Sequence, residues 1–283
     1  MTACPEDSVW FVTGSSSGLG RELAEQALAR GWRVVLAVRQ PDAVASLAGR
    51  YPDTAMTVRL DVTDPVSIAD AVAAAQARFG HIDVLVNAAG YGYLAAIEEG
   101  EDQAIRAQFE TNVFGLLAVT RAVLPGMRAR RCGRVVNFSS LGGLVAFAAT
   151  GYYHATKFAV EALSESLSHE VAPLGIAVTI VEPGAFRTEW AGRSMVASGT
   201  VIDDYAPTAG KRRAATRAVS GHQPGDPVKA AAAVIAALES NALPLRLLLG
   251  KAALDVALER LDALRTNFEA WRDLTEGTDF PAA

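Results

Sequence analysis

A tyrosine and a lysine four positions apart are the clearest pair in this chain for acid-base chemistry. Tyr153 and Lys157 open a segment that reads as a long helix extending toward Pro173, so this spacing places both side chains on one helical face. A neighbouring ammonium favours the phenolate and lowers the pKa of a tyrosine from its usual value of about 10. We therefore expect Tyr153 to act as a general acid or base near neutral pH.

Two hydroxyl groups precede this pair at the end of a predicted strand. Asn137 and Phe138 close an apolar run and are followed by Ser139 and Ser140. Active sites of α/β proteins collect at the carboxyl ends of strands. Because adjacent strand residues face opposite ways, only one of the two serines can point at Tyr153.

The first predicted strand leads into a turn rich in glycine and serine. A helix beginning near Arg21 follows the turn, whose residues are Thr13, Gly14, Ser15, Ser16, Ser17, Gly18, Leu19 and Gly20. Backbone N–H groups of such a turn, together with a helix N-terminus, can bind a pyrophosphate because glycine leaves room for close approach. The spacing departs from G-x-G-x-x-G, so a turn that serves only helix-strand packing stays an alternative.

The end of the second predicted strand bears on the choice of dinucleotide. A carboxylate for the ribose hydroxyls is expected there, but Val38 takes that place and Arg39 follows. A guanidinium can pair with a 2'-phosphate, which an acid would repel, so NADP(H) is favoured over NAD(H), with Ser15 and Ser16 as further contacts. The alternative is that Arg39 is a solvated charge at a strand end, with Asp42 close by in sequence.

Two further strand ends could line the same cofactor. Asp61 and Val62 follow the third predicted strand, where a short acid can accept a hydrogen bond from an adenine amino group. Asn87, Ala88 and Gly90 follow the fourth with small residues that would lie beside a ribose. Each motif taken singly could equally be simple turn chemistry.

These side chains need a scaffold of parallel strands covered by helices. Apolar runs rich in β-branched residues alternate with helical segments, which predicts an α/β fold: a Rossmann-type doubly wound parallel sheet of about seven strands, in a single domain spanning residues 1–283. The predicted strands cover residues 9–12, 34–38, 56–60, 82–86, 134–138, 176–181 and 245–249. Gly31 is predicted to end the first helix, and Asp64-Pro65 and Asp226-Pro227 to begin two others.

Residues about 190–225 carry no strand pattern and are predicted to form a mobile substrate lid over the carboxyl edge of the sheet. Apolar side chains near that edge favour an apolar or aromatic ketone, although ordinary packing explains them as well. These candidates are Tyr91, Tyr93, Leu141, Val145, Phe186, Trp190 and Met195. The basic run Lys211-Arg212-Arg213 with Arg217 is either a solvated helix face or a site for an anionic substrate such as a coenzyme A thioester.

A C-terminal helix is predicted over residues about 251–272. Apolar residues recur there at steps of three and four, which predicts a stripe that packs on the chain's own sheet or across a subunit boundary. The stripe consists of Leu254, Ala257, Leu261, Leu264, Phe268 and Trp271.

Composition excludes several other classes of protein. With 283 residues, 51% of them hydrophobic, and a net charge of -5, the chain can bury a large core but has no field that would attract nucleic acid or an anionic membrane. Two cysteines and four scattered histidines indicate neither a disulfide framework nor a metal site. Residues 1–8, with Pro5, Glu6 and Asp7, are unlike a signal peptide, and no apolar stretch is long enough to span a bilayer, so we expect a cytoplasmic protein.

Taken in order, the motifs resemble those of the compact, single-domain branch of the short-chain dehydrogenase/reductase family. The chain matches TGxxxGxG at residues 13–20, NxAG at 87–90, an asparagine of the middle helix at Asn112, a serine at Ser140 and YxxxK at 153–157. A P-G…T stretch follows at 183–188. The resemblance covers residues about 8–190, with a weaker fit of the last helix and strand.

This resemblance implies a role for each matched residue. Ser140 would hydrogen-bond the substrate oxygen and Tyr153 would deliver or remove its proton. Lys157 would hold the nicotinamide ribose and lower the pKa of Tyr153, while Asn112 would anchor a water linking Lys157 to solvent. Pro183, Gly184, Phe186 and Thr188 would position the carboxamide, with transfer of the pro-S hydrogen at C4 and a homodimer or homotetramer as the assembly.

The implied activity is an NADP(H)-dependent oxidoreductase that moves a hydride between nicotinamide and a secondary alcohol or ketone. Three alternatives stay open. A regulator could sense NADP(H) on this fold without turnover, although the intact Ser140, Tyr153 and Lys157 argue against it. The chain could also reduce a ketone on an acyl thioester, or act as an isomerase or dehydratase with a retained cofactor.

Overall fold

The computed structural model describes residues 8–192 and 194–280, and a parallel sheet forms its centre. Seven strands pair in the order β3-β2-β1-β4-β6-β7-β9, and each pairing is parallel. The strands are β1 (Val9–Thr13), β2 (Arg33–Val38), β3 (Ala55–Arg59), β4 (Val84–Asn87), β6 (Gly133–Phe138), β7 (Ile176–Pro183) and β9 (Arg246–Leu249). The predicted Rossmann-type fold is confirmed, and each predicted strand is found with its ends within two residues.

Helices cover both faces of this sheet because its strands are apolar on both sides. Trp10 and Val12 of β1 belong to one buried cluster, while Val9 and Phe11 belong to a second cluster on the opposite face. The helices are α1 (Gly18–Ala29), α2 (Ala45–Arg50), α3 (Pro65–Phe79), α4 (Asp102–Phe109), α5 (Leu116–Arg130), α6 (Gly151–Val171), α7 (Lys211–Ala218), α8 (Pro227–Glu239), α9 (Lys251–Ala270) and α10 (Arg272–Glu276).

The predicted helix ends agree with the structure. Gly31 has a φ of 84° just beyond α1, a conformation that glycine adopts without strain. The Asp64 carboxylate accepts from the N–H of Val66 at the start of α3, and Asp226 does the same for Val228 at the start of α8. These caps fix the helix N-termini at the carboxyl edge of the sheet.

The predicted lid region contains a strand that the sequence did not reveal. β8 (Met195–Ala197) pairs in parallel with β5 (Gly92–Leu94), which follows β4 in the chain. Three residues are too few for an alternating pattern to stand out. The prediction of no strand in residues 190–225 is therefore wrong at this point.

The C-terminal helix is present, but most of its apolar stripe is not covered. Ala257 is buried, whereas Leu254, Leu261, Phe268 and Trp271 are 46%, 61%, 65% and 58% exposed. Packing on the chain's own sheet is therefore wrong for Leu261, Phe268 and Trp271, while Leu264 is half-buried. Packing across a subunit boundary stays a prediction.

The structure also bears on membranes, metals and cysteines. Within residues 8–192 and 194–280, no helix is long and apolar enough to cross a membrane, and no three His, Cys, Asp or Glu side chains cluster as metal ligands would. Cys132 is exposed and free. Cys4 and the N-terminal residues 1–7 lie outside the described residues.

Candidate active site

The hydroxyl groups of Tyr153 and Ser140 meet at the carboxyl edge of the sheet. Tyr153 is buried in the first turn of α6, with its hydroxyl against that of Ser140. Ser140 follows β6, and its Oγ accepts from the N–H of Gly142 at 3.0 Å, which leaves the hydroxyl proton free to donate elsewhere. Ser139 faces the other side, where a Cβ built on Gly143 would lie 2.5 Å from its Oγ. Of the two adjacent serines, Ser140 is the one beside Tyr153.

Burial dominates the acidity of Tyr153. It raises the pKa of Tyr153 to about 12, and the Ser140 hydroxyl offsets only part of this effect. The sequence predicted a lowered pKa, and the structure gives the opposite direction because burial disfavours the charged phenolate. Lys157 Nζ lies 5.8 Å from the centroid of the Tyr153 ring. Tyr153 is therefore a neutral phenol at neutral pH.

Lys157 is a buried cation held beneath the tyrosine. Its side chain is 7% exposed, and Nζ donates to the carbonyl oxygen of Phe138 at 2.7 Å. Burial lowers the pKa of Lys157 to about 8, and the charge of Glu161 opposes that change. The ammonium and its neutral form are thus close in free energy near neutral pH.

Asn112 fixes the backbone turn that faces Lys157. It lies in a π-helical turn, Glu110–Gly115, a distortion that often occurs at functional sites. Its Oδ1 accepts from the N–H of Tyr91 at 3.0 Å, and its Nδ2 donates to the Tyr91 carbonyl at 2.9 Å. A Cβ built on Gly90 would lie 3.0 Å from Asn112 Oδ1 and 3.9 Å from Lys157 Nζ. The two matched motifs therefore converge on one point.

The turn after β1 has the shape that a bound pyrophosphate requires. Gly14 has a φ of 68°, and a Cβ there would lie 2.9 Å from the backbone of Ala88. Ser15 is fully buried, and its Oγ has no hydrogen-bond partner among the described residues. Gly18 begins α1, where unpaired N–H groups attract an anion. The residues present fit a dinucleotide, with Ser16, Ser17, Leu19 and Gly20 completing the turn.

The adenosine end of the crevice is more open. Arg39 is exposed at the end of β2. Asp61 accepts from the N–H and Oγ1 of Thr63, at 2.9 and 2.7 Å. These bonds first, and the charge of Arg39 to a smaller extent, hold the pKa of Asp61 below its ordinary value. Val62 packs on Gly115 of the π-helical turn. Arg39 and Asp61 therefore lie at one end of the crevice.

Two predicted cofactor contacts have structural roles for their side chains. Asn87 Nδ2 donates to Thr120 Oγ1 and to Asn137 Oδ1, both at 2.9 Å, so this amide joins β4 to α5 and β6. The Phe186 ring packs on Gly225 and on the core. Cofactor contact at Asn87 and Phe186 stays a prediction, with the Asn87 side chain buried and the Phe186 side chain half-buried.

Thr188 is the residue of the 183–188 stretch whose side chain faces the glycine turn. Its Cγ2 lies 3.8 Å from a Cβ built on Gly18, and its Oγ1 accepts from the N–H of Trp190. Pro183 ends β7, and Gly184 packs closely on Ala253. This stretch therefore brings the residues after β7 against the start of α1.

Comparison with known proteins identifies the family. Residues 8–196 match the family model for short chain dehydrogenase. The chain belongs to the short-chain dehydrogenase family. Oxidoreductase BOA17 of Botryotinia fuckeliana is 38% identical over 268 residues, which is 94% of this chain and 97% of that protein. A 3-ketodihydrosphingosine reductase of Bacteroides thetaiotaomicron is 36% identical over 202 residues, 71% of this chain and 72% of that protein.

A solved structure agrees in fold along nearly the whole chain. The crystal structure of a short-chain dehydrogenase from Streptomyces avermitilis has a TM-score of 0.91 and 46% sequence identity, and the match covers 97% of this chain and 100% of that one. Membership of the family makes this chain an oxidoreductase that uses a nicotinamide cofactor and acts on alcohols and carbonyls.

The substrate side of this short-chain dehydrogenase is covered by aromatic and sulfur-containing side chains. The rings of Trp190 and Tyr153 lie 5.2 Å apart. A Cβ built on Gly92 would lie 2.6 Å from Met195 Cε and 3.1 Å from Trp190 Cζ2. Tyr91, Leu141 and Val145 are half-buried. The geometry thus places the Trp190 ring beside the ring of Tyr153.

Tyr93 does not belong with these substrate candidates. Its side chain is 1% exposed, and its hydroxyl donates to Glu101 Oε2 and accepts from the Glu101 N–H, each at 3.1 Å. The prediction that Tyr93 lines the pocket is wrong because its side chain is buried and its hydroxyl is bound to Glu101.

Two acidic residues that the sequence did not single out hold the lid region. Glu99 is 1% exposed and accepts from Arg213 Nη1 at 2.7 Å and Nη2 at 3.2 Å. Glu101 accepts from the N–H of Gly199 at 3.0 Å. Neither interpretation of the basic run, a solvated helix face or a site for an anionic substrate, holds for Arg213, because its side chain is buried in an ion pair with Glu99. The sequence feature that could have indicated this ion pair is an acidic run at residues 98–101 together with a basic run at residues 211–213.

The sequence also did not indicate a role for His154, which lies beside Tyr153. His154 is 5% exposed, and its Nδ1 accepts from the N–H of Phe147 at 3.1 Å. Burial first, and the charge of Arg212 second, lower the pKa of His154 to about 4. His154 is therefore neutral at physiological pH, and it supports the loop that carries Phe147.

Proposed function

We propose that this short-chain dehydrogenase is an NADP(H)-dependent reductase of apolar or aromatic ketones, linking a ketone to its secondary alcohol. The arrangement that supports it most is the neutral phenol of Tyr153 against Ser140 and beside the Trp190 ring. A phenol that keeps its proton at neutral pH can act as a general acid, which is the form that carbonyl reduction needs.

In this proposal each residue of the site has one task. The cofactor supplies the hydride from its nicotinamide ring. Ser140 donates a hydrogen bond to the carbonyl oxygen, and Tyr153 delivers a proton to the same oxygen. Lys157 stabilises the phenolate that remains on Tyr153 and binds the ribose hydroxyls. Asn112 holds the turn beside Lys157 and anchors a water that returns the proton from solvent.

The preference for NADP(H) rests on the adenosine end of the crevice. Arg39 is exposed at the end of β2, and no acid stands at Val38. A guanidinium there can form two charge-assisted hydrogen bonds with a 2'-phosphate. The turn residues Ser15 and Ser16 add hydroxyl groups to the same region.

The apolar substrate class rests on the side chains around Tyr153. Trp190, Met195, Leu141 and Val145 offer aromatic and aliphatic surface rather than charge. A thioester-linked ketone is the second candidate, but it is supported less, because Arg213 is occupied by Glu99 and Arg212 lies 4.6 Å over the Phe147 ring. Of the cations in this basic run, Lys211 and Arg217 are then left to bind the anionic group of such a thioester.

One assay tests reaction class, cofactor and substrate range together. NADPH and NADH oxidation would be followed with a panel of aryl and alkyl ketones, with Tyr153→Phe as the control. We expect turnover with NADPH, and a loss of about 10²-fold or more in the variant. Binding of NADPH without turnover would support the regulator instead, and substrate conversion without net NADPH change would support an isomerase or dehydratase.

We also propose that the chain assembles into a homodimer or homotetramer. Phe114 and Phe158 expose 54% and 43% of their surface on two helical segments that pack together. Large exposed aromatic side chains are typical of protein interfaces. Light scattering at several concentrations tests this, and a monomer that persists at all of them would contradict it. The cytoplasmic location stays a prediction.

A further inference from the structure

A cluster of buried acidic side chains lies one helical turn beyond Lys157. Glu161 of α6 and Glu182 of β7 both approach the same atom, Arg246 Nε, at 3.2 and 3.4 Å. Glu165, one turn further along α6, meets Arg246 Nη2 at 2.8 Å. Three carboxyl groups thus surround one guanidinium.

The cluster has fewer hydrogen-bond donors than its acceptors need. Glu182 is fully buried, and neither of its carboxyl oxygens has a hydrogen-bond donor among the described residues. The same is true of Glu161 Oε1. Buried acceptors without donors are costly, so a proton held between the two carboxyl groups would supply the donor that is missing.

Charge balance leads to the same conclusion. Burial first, and the adjacent Glu161 second, raise the pKa of Glu182 well above its ordinary value, while Arg246 opposes the shift. Two carboxylates this close cannot both ionise cheaply in a buried site. Glu182 is therefore the member of the pair that favours its protonated form, and Glu165 faces the more exposed side of Arg246.

Lys157 is the cation that a carboxylate on Glu161 would serve. Lys157 and Glu161 are separated by one helical turn on the same face of α6. The carboxylate opposes the burial that favours the neutral amine. Lys157 must be an ammonium to stabilise a phenolate on Tyr153, so its charge state decides whether the site works.

We propose that Glu161 is a positioning residue for catalysis: the one negative charge that it shares with Glu182, anchored by Arg246, keeps Lys157 an ammonium. Glu182 acts as the partner that stores the shared proton. The Tyr153 ring, Glu161 and the Phe138 carbonyl are the groups facing Lys157 from α6 and β6, while Glu161 and Arg246 act on Glu182. The functional meaning rests on the proposed function, but the charge state itself does not.

The test follows the titration of Lys157 directly, without cofactor. The chain has four lysines, Lys157, Lys211, Lys229 and Lys251, and only Lys157 is buried, so selective ¹³C labelling of lysine side chains gives four resolvable signals by NMR. Lys157→Met assigns the signal by its loss. We expect the Lys157 signal to titrate near 8 in the wild type.

Matched variants separate a charge effect from a packing effect. Glu161→Gln should lower the Lys157 pKa by about half a unit or more, whereas Glu182→Gln, which mimics the protonated partner, should leave it nearly unchanged. A merely structural cluster would reduce stability in both variants and leave the Lys157 titration in place, which would overturn the proposal. An equal shift in both would overturn it as well.

A further variant keeps the test informative if Glu161→Gln or Glu182→Gln does not fold. The double change Glu161→Met with Glu182→Met removes the charge and leaves no orphaned oxygen, and buried ionic groups often tolerate such apolar replacement. It should give the same downward shift as Glu161→Gln. Because no substrate or cofactor is present, a negative ketone assay would refute the proposed function without touching this measurement.

Discussion

The ion pair between Glu99 and Arg213 should be the main anchor of the lid, and Arg213→Met tests this. α7 is built from alanine, threonine and cations, and Arg213 is its buried residue. The side chains of Arg213 and Glu99 are 9% and 0% exposed. Removing one partner of such a pair leaves an uncompensated buried charge, so we expect a loss of about 3–5 kcal/mol in the free energy of unfolding.

The pH dependence of this loss in unfolding free energy gives a second test of the ion pair. Burial alone would raise the pKa of Glu99, but the N–H groups of Ile202 and Ala96 and the guanidinium of Arg213 outweigh it, so the pKa lies below its ordinary value. The stabilisation is therefore present above the ordinary carboxyl pKa and is lost as pH falls through the lower folded value. Without Arg213 the pKa of Glu99 rises, and the gap between variant and wild type should narrow in acid.

Urea unfolding at several pH values, with limited proteolysis of residues 199–220, measures both effects. The double variant Glu99→Gln with Arg213→Met removes both charges and should recover a coupling free energy of about 2 kcal/mol. A loss of less than about 1 kcal/mol in the free energy of unfolding of Arg213→Met would show that the pair does not hold the predicted lid. The same conclusion would follow if Arg213→Met and the double variant lost equal free energy at every pH.

Three further outcomes can be measured. Arg39→Asp should lower kcat/KM with NADPH by about 10-fold or more and spare NADH, since it replaces a phosphate partner by a repelling charge, whereas Arg59→Asp at the neighbouring strand end should change neither. Gly14→Ala should cost about 2–4 kcal/mol in urea unfolding because of its positive φ and its backbone contact at 2.9 Å, while Gly49→Ala in open space on α2 should be neutral or stabilising. Deletion of residues 262–283 should leave the melting temperature nearly unchanged but reduce the number of subunits in the assembly, because Phe268, Trp271 and Leu274 among the residues removed are exposed; an unchanged number of subunits would show that this part of α9 is not an interface.

The frame and the chemical centre could be predicted because local signals determine them. Apolar strand runs specify a buried parallel sheet whatever their distant partners are, and the glycine turn after β1 is local backbone chemistry. Tyr153 and Lys157 share a helical face through their spacing alone, and alternation along a strand decides that one serine faces Tyr153.

The rest depended on contacts between distant parts of the chain. Nothing near Arg213 in sequence indicates that Glu99 neutralises it, and the motif at 87–90 does not reveal that the Asn87 amide joins β4 to α5 and β6. The pKa of Tyr153 was predicted in the wrong direction for the same reason: the neighbouring charge is visible in the sequence, whereas the degree of burial is set by the whole fold.

We expect the predicted lid and the acidity of the site to be coupled through that burial. Glu99 binds Arg213 and Glu101 binds Gly199, and the centroid of the Trp190 ring lies 5.2 Å from that of Tyr153. If these contacts hold the predicted lid over the phenol, they add to the burial that raises the pKa of Tyr153 to about 12. Loss of the Glu99–Arg213 ion pair in Arg213→Met should therefore lower the pKa of Tyr153 toward its ordinary value. The measurement is the ultraviolet absorption of the phenolate, with Arg213→Met/Tyr153→Phe as the control. A Tyr153 titration that does not move when the lid loosens would mean that the fold beneath the lid, rather than the lid, keeps the acid protonated.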